Sequence, residues 1–239
     1  MRSIRNATSD PILARWTVFG RVVLTLLVPV VLLLTNVRLL LTPAFVQIEY
    51  RLPGFPADRF GFTQADRLRW APIALDYLLN DAGTDFLGDL RFDSGEPVYN
   101  ARELRHMDDV RIVTQTALRL WAACLATSAL LIAGMMWAGR RWAVRQGLHD
   151  GARLTLVLIG VLAVGLVVAF QAVFVGFHRV FFEGDTWLFL YRDTLIRRFP
   201  ERFWQDAFLF IAAATLAEAA ILFLASRRRR GDPAAEAEG

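Results

Sequence analysis

Four apolar runs, roughly 20–41, 113–138, 154–176 and 205–226, constrain this chain more than any other feature. About 20 apolar residues in a helix cross the hydrocarbon core of a bilayer. Lipid offers no hydrogen bonds to a bare backbone, so such runs must be helical. The chain is 55% apolar and has a mean hydropathy of +0.38, too apolar for an ordinary soluble domain. The expected fold is an all-α membrane protein with four transmembrane helices. A mostly helical extracytoplasmic segment is expected between the first and second.

The placement of charge gives the orientation. All 27 basic residues are arginine. Arg2, Arg5, Arg15 and Arg21 flank the first run, Arg140, Arg141, Arg145 and Arg153 fill the link between the second and third, and Arg227 to Arg230 follow the fourth. Short basic flanks stay in the cytoplasm, so both termini are expected inside. This divides the chain into a cytoplasmic arm 1–19, a span 20–41, an extracytoplasmic segment 42–112, and a second span 113–138. A cytoplasmic link 139–153, a third span 154–176, an extracytoplasmic loop 177–204, a fourth span 205–226 and a cytoplasmic tail 227–239 follow. Topology accounts for the net charge of +4, which therefore does not point to nucleic acid. The polar, acidic tail "GDPAAEAEG" reads as disordered. The first run is too long for a signal peptide and has no clear small-residue cleavage site after it, so it reads as a retained anchor. The single cysteine, Cys124, lies within the second run, where it reads as a packing residue.

The extracytoplasmic segment has its own punctuation. "TQAD" at Thr63 to Asp66 is a helix start with a hydroxyl cap and an acid three positions on. Leu68, Ala71, Leu75, Leu78 and Leu79 give that helix an apolar face, and Pro72 interrupts it. Arg91 and Phe92 fit a short strand. "NARE" at Asn100 to Glu103 opens a second helix that nothing breaks until about Gly134. A helix over 101–138 is about 57 Å long, against a hydrocarbon core of about 30 Å. Its first turns must project beyond the lipid tails, and His106 lies on that projection.

The chain has only three histidines. His106 stands at the outer end of the second span and His178 at the outer end of the third. Consecutive spans joined by a short link run antiparallel as neighbours, so both imidazoles fall on one face of the membrane. Asp109, one turn beyond His106, is spaced to hold one ring nitrogen and leave the other as a base. This constellation fits general acid–base chemistry. A zinc site built with Asp109 or Glu183 lacks the spacing of helical metal motifs, so no metal and no cofactor is expected. His149 lies across the membrane from the pair and takes no role.

Three stretches in order, "ELRHMDDV" at 103–110, "FHRVFFEGDTW" at 177–187 and "DTLIRRFPERFW" at 193–204, resemble the bacterial lipoprotein intramolecular transacylase family. The resemblance extends to the plan of one span, a long outer segment and three further spans. It implies an integral membrane enzyme acting on lipoproteins whose N-terminal cysteine carries a diacylglyceryl group. The sn-2 acyl chain moves to the α-amine of the same cysteine, giving a lyso-form lipoprotein, with no external acyl donor. The family's two functional histidines fall on His106 and His178. Bacterial lipoproteins and membrane lipids are the implied partners, and the outer leaflet of the bacterial cytoplasmic membrane is the implied location.

On this reading His106, oriented by Asp109, is the base for the amine, and His178 serves the leaving glycerol oxygen, with the reverse assignment open. Arg179 is a candidate to stabilise an oxyanion or hold a lipid head. Trp187 and Trp204 are candidates to line the acyl path or join the interfacial aromatic belt. Tyr77 and Tyr99 are candidates for substrate contact or packing. Two other readings compete: a non-enzymatic membrane protein whose outer segment binds a partner, and a metal-dependent membrane hydrolase.

Overall fold

A computed structural model describes residues 11–227. The arm residues Arg2 and Arg5, Arg228 to Arg230 and the acidic tail lie outside the described residues. The elements are α1 (Pro11–Leu40), α2 (Pro43–Glu49), α3 (Gln64–Leu79), α4 (Asp85–Gly88), α5 (Ala101–Trp137), α6 (Arg141–Phe181), α7 (Thr194–Arg198) and α8 (Glu201–Ala225). Among the described residues there is no strand. Arg91 makes an isolated bridge to Pro97, not the short strand expected there. The turn between them closes through Gly95 at φ +86° and the bond from Phe92 N to Glu96 O, and leaves no room for a ladder.

Four helices, α1, α5, α6 and α8, are long and apolar enough to cross a membrane. Many of their exposed side chains are apolar, as lipid requires: Leu130, Val161, Val167 and Val168 are all more than two-thirds exposed. The residues expected to form the link 139–153 are mostly helical. Only residues 138–140 leave the helix, turning at Gly139 with φ +71°, and α6 begins at Arg141. α6 is itself interrupted at Ala169 (φ −143°, ψ 47°).

The chain forms two compact units. One gathers residues 11–33, 122–160 and 214–227 of the described chain. Its core is Leu24, Val28, Met135, Ala143 and Val144. Here α6 meets α1 at two glycines one turn apart. A Cβ on Gly147 would stand 3.2 Å from Arg21 O, and one on Gly151 2.7 Å from Val28 Cβ. Small residues at this spacing let membrane helices approach backbone to backbone. Thr25 Oγ1 uses the proximity to donate to Gly147 O at 3.3 Å. Arg145 caps the end of α8, donating to the carbonyls of Ser226 and Arg227.

The second unit holds residues 34–121 and 161–213. Its core joins α2, α3 and α7 to the ends of the long helices through Val46, Trp70, Tyr77, Leu87, Val98, Met107, Leu195 and Phe203. The Thr63–Asp66 capping box starts α3 as its residues require. The Asn100 cap starts α5: its Oδ1 accepts from Glu103 N at 3.0 Å, and Glu103 Oε2 accepts from Asn100 N at 2.8 Å. Glu103 does more than cap. It is 1% exposed, and its other oxygen accepts from Leu195 N at 2.6 Å and Thr194 Oγ1 at 3.0 Å. One carboxylate thereby ties the starts of α5 and α7 together. α7 ends on Arg198, fully buried with its guanidinium over the Tyr99 ring at 4.7 Å.

Candidate active site

His106 is on the second turn of α5 and His178 on the last turn of α6. Their ring centroids are 6.3 Å apart and the planes differ by 18°. The rings are 7% and 9% exposed by residue, so the pair is shielded from water. The shield is aromatic. Phe182 and Phe189 lie 5.0 and 5.2 Å from the His106 ring. Phe174 and Trp187 lie 4.2 and 4.9 Å from the His178 ring. Phe174 precedes His178 by one helical turn, and Phe182 follows it by one, so the α6 register builds this wall.

The two imidazoles are held differently. His178 Nδ1 lies 2.8 Å from Phe174 O. A carbonyl only accepts, so Nδ1 carries the proton and the neutral ring keeps its lone pair at Nε2. His106 Nδ1 is buried with no hydrogen-bond partner. The indole Nε1 of Trp187 is likewise buried and unpartnered. Such atoms are rare in folded proteins, and here one is on the His106 ring and the other on a ring packed against His178.

The candidates drawn from the sequence separate accordingly. His106, His178 and Trp187 come together. Asp109 does not hold His106: its carboxylate accepts from Thr186 Oγ1 at 3.3 Å. Helical spacing placed the acid on the right face, but a loop hydroxyl takes it. Since Thr186 precedes Trp187, that bond moors the loop carrying the indole. Trp204 reaches the site only through Phe174, at 6.3 Å. Arg179 is exposed and makes no hydrogen bond to the site. Tyr77 is a core residue whose hydroxyl donates to Asp108 at 3.2 Å. Tyr99 is also buried and accepts from the Arg198 guanidinium. Burial pushes both phenols up, so both stay protonated.

Sequence reasoning missed Phe174, Phe182, Phe189 and Thr186. Only the one-turn spacing of Phe174 and Phe182 about His178 was a signal. Beside the rings, Arg102, Arg105, Asp185, Thr186 and Leu188 line a cleft of about 440 Å³. Among the described residues no group of three His, Cys, Asp or Glu side chains is gathered to hold a metal.

The model of the family described as "Lipoprotein intramolecular transacylase Lit" matches residues 22–204. The chain belongs to this family. As a Lit family member it is an acyltransferase and a multi-pass membrane protein. A protein of Aquifex aeolicus (strain VF5), described as uncharacterized, is 29% identical over 191 residues, covering 80% of this chain and 85% of that protein. The in meso structure of the membrane integral lipoprotein intramolecular transacylase Lit from Bacillus cereus shares the fold. It gives a TM-score of 0.75 at 17% identity, over 89% of this chain and 94% of that one. A histidine-to-alanine variant of that protein gives 0.68 at 15% identity, over 91% and 94% of the two chains. The family match spans the helices that carry His106 and His178.

Proposed function

We propose that this Lit family member converts diacylglyceryl-cysteine lipoproteins to the lyso form, by moving the sn-2 acyl chain onto the α-amine of the same cysteine. The reaction takes place at the outer leaflet of the bacterial cytoplasmic membrane, with both termini in the cytoplasm and residues 42–112 and 177–204 outside. The observation that carries the reading is the pair of parallel, buried imidazoles, one of which has its lone pair fixed at Nε2 by a main-chain carbonyl.

That asymmetry favours His178 as the base, reversing the order read from the sequence. An α-amine has a pKa of about 8 and is largely protonated at neutral pH. The ammonium first releases one proton to solvent, and His178 Nε2 takes the second, which the nitrogen loses as it bonds to the ester carbonyl carbon. The tetrahedral adduct then breaks its bond to the glycerol oxygen, which needs one proton. His106, parallel to His178, delivers it and is resupplied from the His178 imidazolium, so protons balance over the cycle. Nucleophile and ester belong to one molecule, and alignment of the two within the dry site adds to the proton transfers. The cleft edged by Arg102, Arg105 and Asp185 gives the peptide that follows the cysteine a polar way out.

Mass spectrometry of the N-terminal lipopeptide tests the proposal. A reporter diacylglyceryl lipoprotein is co-expressed in a host lacking N-acylation, with the intact protein or with His178→Ala. The intact protein should produce a peptide with one acyl chain on nitrogen and one on glycerol, at unchanged total mass. An unmodified amine, with the protein folded in the membrane, refutes it.

A further inference from the structure

We propose that the indole N–H of Trp187 is the hydrogen-bond donor to the oxyanion of this reaction. The inference rests on the transacylase reading above. When the amine nitrogen bonds to the ester carbonyl carbon, the carbonyl π pair moves onto oxygen. That oxygen carries a full negative charge until the C–O bond to glycerol breaks and the carbonyl reforms. In a site closed to water, the charge needs a donor already aimed at it.

Few donors near the imidazoles are free. The proton on His178 Nδ1 is given to Phe174 O. The Thr186 hydroxyl is given to Asp109. Arg179, the cation nearest in sequence to His178, is exposed. The main-chain amides of Phe182, Leu188 and Leu190 are spent on His178 O, Asp185 O and the Asp193 carboxylate. Trp187 Nε1 is buried and without an acceptor, on a ring 4.9 Å from that of His178. An indole N–H can only donate. Left unpaired, it carries an uncompensated desolvation cost, which an acceptor brought by the substrate recovers. The base and the donor belong to two rings packed against each other, with complementary tasks: one receives the nucleophile's proton, the other meets the oxygen. The Asp109–Thr186 bond makes these two positioning residues for the indole.

The test uses the intact protein in lipid nanodiscs and a synthetic diacylglyceryl-cysteine peptide with a free amine. Two variants remove the N–H: Trp187→Phe, and replacement of Trp187 by its benzothienyl analogue, which keeps the fused ring and substitutes sulfur for N–H. Loss of one oxyanion donor lowers kcat by about 100- to 1,000-fold. We expect that loss in both variants, with KM changed by less than about threefold and the shape of the pH–rate profile retained, because the base is untouched. A benzothienyl variant that keeps a third or more of kcat overturns the donor role. So does a loss that appears in KM alone. If the intact protein leaves the peptide unconverted, the transacylase reading falls first and the donor role with it.

Discussion

Gly151→Ala is the sharpest test of the packing that holds the first unit together. A methyl at that position stands 2.7 Å from Val28 Cβ, 2.9 Å from Val28 Cγ2 and 3.0 Å from Thr25 O. Carbon atoms rest about 3.5–4.0 Å apart, so α1 and α6 must separate there by roughly 1 Å. Overpacking of this kind costs about 1–3 kcal/mol, against about 1 kcal/mol that alanine returns in helix propensity. Gly160 supplies the internal control: it lies on the same helix, and a Cβ there meets nothing within 4 Å. Gly160→Ala should therefore be neutral or stabilising by up to about 1 kcal/mol. The two variants are expected to differ by roughly 2 kcal/mol, with Gly151→Ala the weaker. Reversible unfolding in mixed micelles, titrated with a denaturing detergent, measures both. If Gly151→Ala is as stable as Gly160→Ala, the helices do not meet at this glycine.

His106→Ala and His178→Ala should each lower lyso-form production by about 100- to 10,000-fold while leaving the protein folded in the membrane, as followed by lipopeptide mass spectrometry and by detergent-solubilised yield. Glu103→Ala strips acceptors from Asn100 N and Leu195 N at once; at about 1.5 kcal/mol or more for each of the two bonds, a loss of roughly 3 kcal/mol is expected in the same unfolding titration. Glu49 is buried, and desolvation, with the neighbouring Asp206 adding to it, raises its pKa from 4.5 to about 7. Between those two values the folded state holds a proton that the unfolded chain has released, so this residue's contribution to stability falls as pH rises from about 4.5 to 7. Glu49→Gln should flatten that part of the Tm-against-pH curve relative to the parent, and identical curves would count against a protonated Glu49.

The spans were legible because hydropathy is a property of runs, and a run of apolar residues has one outcome in lipid. The nearness of His106 and His178 was legible for a related reason: consecutive spans alternate in direction, which carries residues far apart in sequence to the same end. What could not be read was which atom each polar group meets. Asp109 was placed correctly on its helix face, yet its partner Thr186 comes from a loop whose path follows no periodicity. Glu103 looked like a helix cap and is one, but its second oxygen serves α7, a partnership that exists only in three dimensions. Phe174 lies within an apolar run and draws no notice there, although its carbonyl decides where a proton sits.

The bond from His178 to Phe174 O has a consequence for genetics. An orienting side chain can be lost by a single codon change, and a mutational scan then reveals it. Here the orienting group is main chain, and every amino acid supplies the same carbonyl. Replacements at position 174 will report on the ring and stay silent on the proton. The alignment of His178 is thereby insulated from drift at its own partner's codon, and only changes that unwind the last turns of α6 expose it.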